Sequence, residues 1–203
     1  SAYSPTPMLV STLVDENDGA LGFGDGDSLR ETIAVAGTIP GPDVIRFDPS
    51  LDGGTVTLAG SQLTVSSDLT IETQGLAIGI AVSAALSSRV FEITTGCLVT
   101  ITGLTITEGR ANSGLGGGVL NSGALNLNQV TIADNLIDNG NIYGTGGGIS
   151  NSGILRLDRS TVIQNHVFTG DGGGISNSGT LDVANTTIAN NYVNTGKGGG
   201  VFN

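Results

Sequence analysis

The sequence predicts a parallel β-helix, an all-β coil of three short strands per rung, preceded by one short capping helix. Three observations carry this. First, four segments nearly restate one another: GGGVLNSGALNLNQVTIADN from Gly116, GGGISNSGILRLDRSTVIQN from Gly146, GGGISNSGTLDVANTTIANN from Gly172 and GGGVFN from Gly198. The intervals are 30, 26 and 26 residues, a range in which each unit buries its apolar side only by stacking on its neighbours. Second, apolar residues alternate within each copy, as in Leu125-Asn126-Leu127, Leu155-Arg156-Leu157 and Leu181-Asp182-Val183. Gly triplets and Asn-rich corners beside them would break any helix, so these are strands. Third, equivalent positions keep their chemistry. Val119, Ile149, Ile175 and Val201 make one predicted inward column, Leu125, Leu155 and Leu181 a second, and Ile132, Val162 and Ile188 a third. Strands so related pair with their equivalents in the next rung at about 4.8 Å.

Taken in order, residues 1–50 form a cap and residues 51–203 the coil. Within the cap, Ser28 followed three residues later by Glu31 is a capping box, Gly37 closes the helix, and Leu29, Ile33 and Ala36 share one face. That face would cover the open first rung. Pro40 and Pro42 then make a turn, and Val44 to Phe47 is the predicted first strand. From Gly54, "GTVTLAGSQLTVSSDLTIETQGLAIGIAV" alternates with strand period but has no Gly triplet, and Val99 to Ile106 overlays on Leu125 to Ile132. These are earlier, less regular rungs, and the regular repeats start at about residue 116.

Two sets of asparagines align in the repeats: Asn121, Asn151, Asn177 and Asn203, and again Asn135, Asn165 and Asn191. Recurrence at corners predicts stacked amides that hydrogen-bond along the coil, at positions where Asn tolerates a left-handed backbone. The role read here is structural, since a ligand site would be irregular.

The stretch "DGDSLRETI" resembles the Asp-x-Cys-Ser-Leu-Arg-Glu-Ala motif that heads many large bacterial surface or secreted proteins of the pectate-lyase-like β-helix type, here without the Cys and with Thr32 in place of Ala. "PGPDVIRFDPSL" and the GGG-[IV]-x-N repeats have counterparts in the same proteins. The repeats are also similar to the Gly-Gly-Ala-Ile and Phe-x-x-Asn repeats of chlamydial polymorphic outer-membrane proteins, with Ile or Val in the Phe slot. The resemblance implies a right-handed, single-stranded coil, in keeping with the general chirality of parallel crossovers, and a pectin lyase-like surface scaffold or adhesin.

Composition narrows the partners. Gly is 34 of 203 residues and Trp is absent, which suits a narrow core of stacked aliphatics. A formal net charge of −11 with seven Lys plus Arg disfavours nucleic acid and anionic membranes. No run of 18 apolar residues is present, so no membrane insertion is expected of this segment. The opening "SAYSPTPMLV" has neither a basic start nor an apolar run. The single Cys97 reads as a small buried or corner residue. The chain stops at Asn203, six residues into a fresh repeat, and further β-helix repeats are expected after 203 because open edges invite association.

Candidate sites follow from this frame. A polysaccharide lyase or hydrolase needs clustered carboxylates with a basic residue on adjacent rungs. Asp158, Asp182, Arg156 and Arg159 offer only a solvated pair, so no catalytic residue is assigned. Asp15, Asn17, Asp18, Asp25 and Asp27 could hold Ca²⁺ but lack the EF-hand spacing. No metal ligand and no cofactor is assigned, and Asp27 and Glu31 are given to the helix N-terminus. His166 shares a column with Leu136 and Tyr192 and reads as packing. The loop after each Asn135-type corner carries Ile142 and Tyr143, then Phe168, then Tyr192. Tyr143, Phe168 and Tyr192 are the candidate contacts for a surface glycan or protein. A third class, ice binding, would use Thr105, Thr131, Thr161 and Thr187, but the second rank reads Thr107, Ala133, Ile163, Ala189 and is broken. The sequence therefore predicts a structural or adhesive solenoid of an extracellular or cell-surface protein. A carbohydrate-active enzyme is the first alternative, an ice- or carbohydrate-binding module the second.

Overall fold

The computed structural model describes the chain except for residues 1–6, 19, 20, 23, 112, 113, 139, 141 and 142. It is a parallel β-helix whose strands stack rung upon rung. Three sheets run along it: seven strands from Met8–Val10 to Thr180–Ala184, six from Thr55–Thr57 to Thr187–Ala189, and six from Leu63–Val65 to Val201–Phe202. Every pairing is parallel and in the register that the repeat implies. Val119 pairs with Ile149 and Ile149 with Ile175, Leu125 with Leu155 and Leu155 with Leu181, Ile132 with Val162 and Val162 with Ile188. Val119, Ile149, Ile175, Leu125, Leu155, Ile132 and Val162 are fully enclosed, and the first two columns continue back through Phe91 and Val99 respectively.

The rungs are richer than three strands. After the third corner the later rungs form a fourth sheet from Leu136–Ile137, Gly144–Thr145, His166–Asp171 and Tyr192–Lys197, where a variable loop was expected. Val167 and Ile137 point inward and are fully buried, so this segment closes the core as the others do. The first repeat has four more residues between Ile137 and Gly144 than the next has between Val167 and Gly170, and its described strands here are Leu136–Ile137 and Gly144–Thr145.

The Gly triplets are a steric requirement. Gly146 has φ +72°, and a Cβ there would sit 2.1 Å from the Ile149 carbonyl oxygen. A Cβ on Gly147 would sit 2.4 Å from the Gly173 oxygen of the next rung, and one on Gly148 2.7 Å from the Gly174 oxygen. The triplet backbone hydrogen-bonds straight to the following triplet, with Gly147 N–H donating to Gly172 O at 3.0 Å. Two backbones that close leave no room for a side chain.

Both asparagine ladders form. Asn121 Nδ2 donates to Asn151 Oδ1, Asn151 to Asn177 and Asn177 to Asn203, each at 2.6 Å. In the second ladder Asn135 donates to Asn165 and Asn165 to Asn191, each at 2.9 Å. Their backbone differs from expectation. The left-handed residues are the ones just before the second ladder, Glu108, Asp134, Gln164 and Asn190, and, at the preceding corner, Gly103, Gln129, Arg159 and Asn185. Closing the coil demands a left-handed residue at each of these corners whatever its side chain, a local cost of about 1–2 kcal/mol that the stacked ladders offset. Among the described residues, Asp43 Oδ2 is the one buried side-chain polar atom without a hydrogen-bond partner, so the ladder amides are satisfied.

Within the cap the first strand comes earlier than the predicted one at Val44 to Phe47. Met8–Val10 is already a strand and pairs with Ile45 to Phe47. The pattern gave no sign of it, since three residues are too few to show alternation. The helix spans Leu29–Ala36 and packs against Met8–Val10, Asp43–Phe47 and Leu63–Val65 with Leu29, Ile33 and Ala36 buried. Gly37 is its C-cap in a right-handed conformation. The capping box is reciprocal: Ser28 Oγ accepts from Glu31 N–H at 3.1 Å and Glu31 Oε2 from Ser28 N–H at 3.0 Å. Glu31 Oε1 also accepts from Asp18 N–H at 2.8 Å. Asp27 serves elsewhere, its carboxylate accepting from Gly22 N–H. Asp15 accepts from Arg30 through two nitrogens at 2.8 Å and from Ala59 N–H at 2.7 Å, which pins the helix to the first rungs.

Burial pushes the Glu31 carboxyl upward, but the N–H groups of Ser28 and Asp18 outweigh it and hold its pKa below the ordinary value. A lowered folded pKa stabilises the fold fully above the unfolded pKa of about 4.3, and that contribution disappears as pH falls through the folded value. Glu31→Gln should therefore flatten the acid limb of the melting-temperature profile, and Ser28→Ala should cost about 1 kcal/mol at neutral pH. An unchanged acid limb in Glu31→Gln would remove the carboxylate from this role.

Candidate functional site

The outward positions of the fourth sheet bring two of the three predicted contact residues, Phe168 and Tyr192, to one face. His166 pairs with Tyr192 across adjacent rungs, and Phe168 lies two residues along the same strand, so all three side chains leave on one side. The His166 ring centroid is 4.6 Å from that of Phe168 and 5.3 Å from that of Tyr192, with interplanar angles of 37° and 41°. Phe168 is 40% exposed and Tyr192 60%. His166 Nε2 contacts Asn194 Oδ1, and Asn194 follows Tyr192 by two residues on the same face. His166 is thus a half-buried ring packed against Phe168 and Tyr192, at the centre of a cluster whose two flanking rings are exposed. Its distance of 26 residues from Tyr192 and two from Phe168 carried that geometry in the sequence, once the segment is known to be a strand.

Tyr143 is held differently. It is 58% exposed, and its hydroxyl donates to Asp171 Oδ2, which keeps the phenol above its ordinary pKa. Asp171 is buried and its other oxygen accepts from Lys197 N–H at 2.7 Å. Tyr143 therefore braces the far end of the sheet while Phe168 and Tyr192 meet through His166. Ile142 lies outside the described residues.

The outer face of the seven-stranded sheet carries the charged candidates. Arg156 stands opposite Asp182 at 4.0 Å, both largely exposed, and Arg159 contacts Asp158 at 3.0 Å while Asn185 donates to Asp158 at 2.9 Å. Exposed pairs of this kind contribute about 0–1 kcal/mol. In the cap, Asp15 is engaged by Arg30 and Ala59. Among the described residues no group of three or more His, Cys, Asp or Glu is placed to hold a metal ion. Cys97 is buried with its Sγ 3.3 Å from Thr94 Oγ1. The Thr rank aligns as predicted, and in the second rank Ala133 is buried while Thr107, Ile163 and Ala189 are half-buried, so that rank is broken in burial as in chemistry.

One feature escaped the sequence reading. The Asp52 carboxylate accepts from the N–H groups of Ala77, Ile78 and Gly79, each at 2.9 Å, which holds its pKa low. The loop it pins projects Ile78, 81% exposed, beside an open groove of about 490 Å³. Nothing in the local sequence links residue 52 to residue 77; only the coil brings them together.

No family model matches the chain, and no curated protein or solved structure matches it. Among the described residues, no helix is long and apolar enough to cross a membrane.

Proposed function

We propose that this chain is a structural and adhesive segment of a larger extracellular or cell-surface protein, a rigid solenoid that presents its outer faces to a glycan or protein partner. One observation carries the reading: in the seven-stranded sheet what faces inward repeats and what faces outward does not. In the seven-stranded sheet the inward column runs Ile45, Ile71, Ile101, Leu127, Leu157, Val183, while the outward column beside it runs Val44, Thr70, Thr100, Asn126, Arg156, Asp182. The stacked backbone and amide ladders hold the rod, which frees the outer positions to be set by contacts with something else. The motif resemblance to surface β-helix proteins and the acidic composition support the same reading.

The test is a binding and turnover panel on the intact chain. Immobilised polysaccharides and extracellular glycoproteins are screened for retention, and acidic polysaccharides are incubated with and without calcium while the unsaturated-uronate absorbance is followed. Retention with a flat absorbance trace is the expected result. A calcium-dependent rise would replace the adhesive reading with a lyase, and the absence of both retention and turnover would leave a rod without adhesive function.

A further inference from the structure

We infer that Phe168, His166 and Tyr192, with the Asn194 amide at their edge, form a platform for an uncharged pyranoside glycan. The inference rests on the adhesive reading above and supplies its ligand class. Neighbouring rungs place side chains about 4.8 Å apart and alternate residues of one strand about 6.7 Å apart, so the three rings tile a patch the size of a single sugar ring. Their tilts of 37° and 41° leave ring faces open instead of stacked shut. Exposed aromatic faces carry negative charge density that attracts polarised C–H groups, which a pyranose with axial hydrogens presents on one side. Its hydroxyls meet the Asn194 amide and the His166 ring nitrogen, already oriented toward each other.

Size and charge select the occupant. Three partly exposed rings offer far less than the roughly 1,200 Å² of a small specific protein interface. The charges bordering the patch are engaged: Arg110 Nη2 lies 3.7 Å from Asp138 Oδ2 and 2.9 Å from its carbonyl oxygen, while Asp171 takes the Tyr143 hydroxyl and the Lys197 N–H. A uronate or sulfated chain would meet no cation within the ring cluster itself, the Lys197 ammonium lying five residues from Tyr192 along the strand, and would approach a molecule of net charge −11. An uncharged glycan meets neither penalty. The platform stands on strands, whose backbone is fixed by the pairing of His166 to Tyr192 and Thr169 to Thr195, so it needs no ordering on binding.

The experiment titrates the intact chain with cellohexaose, laminarihexaose and β-galactohexaose, with oligogalacturonate as the charged probe, by calorimetry and NMR. Saturable binding of at least one uncharged oligosaccharide is expected, with a dissociation constant of about 0.1–1 mM. Phe168→Ala and Tyr192→Ala should each weaken it about tenfold or more, while Tyr192→Phe stays within about twofold because the ring face is kept. Melting temperatures of the variants check that the coil is intact. Failure of every uncharged probe overturns the inference, and so does unchanged binding in both alanine variants or oligogalacturonate binding through the same residues. If the broader panel still retains a protein or another glycan, the adhesive reading survives that failure; if it retains nothing, both fall.

Discussion

Gly147→Ala should lower the stability of the coil by about 3 kcal/mol or more. The Cβ it adds would lie 2.4 Å from the Gly173 carbonyl oxygen and within 2.8 Å of the His166 backbone, so nothing flexible can yield. Relief requires moving one rung off the next, which stretches the bonds from Gly147 N–H to Gly172 O and from Gly148 N–H to Gly173 O. Gly75→Ala is the matched control. It has φ +94° and open space around it, so it suffers left-handed strain alone, about 1–2 kcal/mol. Urea unfolding of the two variants separates close rung contact from backbone strain. If Gly147→Ala loses no more than Gly75→Ala, the triplets are not there to let the backbones approach.

The second large effect is expected at Asn165. Its Nδ2 donates to Ile132 O, Ile163 O and Asn191 Oδ1, and its Oδ1 accepts from Asn135 N–H and Nδ2, all between 2.9 and 3.1 Å in a fully buried position. Truncation to Ala strands several of those groups away from water, and each stranded buried group costs about 1–3 kcal/mol. Asn165→Ala should therefore cost at least about 3 kcal/mol, whereas Asn191→Ala, in a less buried rung, should cost less. Asn165→Asp adds a pH signature. A carboxylate there cannot donate to the carbonyls it faces, so its folded pKa rises above the unfolded value of about 3.9. The variant is then least stable at neutral pH and regains stability as pH falls through the raised pKa. A pH-independent deficit in Asn165→Asp would mean that the ladder is replaceable by water.

The coil was legible because stacking in register converts sequence offset into distance. Residues 26 or 30 apart become neighbours at one strand spacing, so the alignment of Ile149 with Ile175 or Asn151 with Asn177 is a statement about contacts. The helix was legible for a local reason, since Ser28, Glu31 and the Leu29, Ile33, Ala36 face lie within one short segment. The aromatic candidates were legible only as neighbours on an edge. Their grouping around His166 depended on a strand that the pattern did not announce.

The sequence by itself determined the repeat, the register, the inward columns, the two amide ladders and the capping box, because each is a periodic or local pattern. Tertiary structure alone decided the rest. His166–Asp171 has β-prone Val167, Phe168 and Thr169 but ends in Gly and Asp, and the parallel partners above and below it carry the strand through to that end. Gln129, Arg159 and Gln164 turn left-handed because a closed rung must bend there, which outweighs their side-chain preference. Asp15 finds Arg30 and Ala59 at separations of 15 and 44 residues, unrelated to the period, while Asp52 finds Ala77 to Gly79 one rung on, 25 to 27 residues away, where no repeated side chain marks the contact. Such contacts lie at corners and in the cap, where the coil's geometry chooses the partners and no repeat records them.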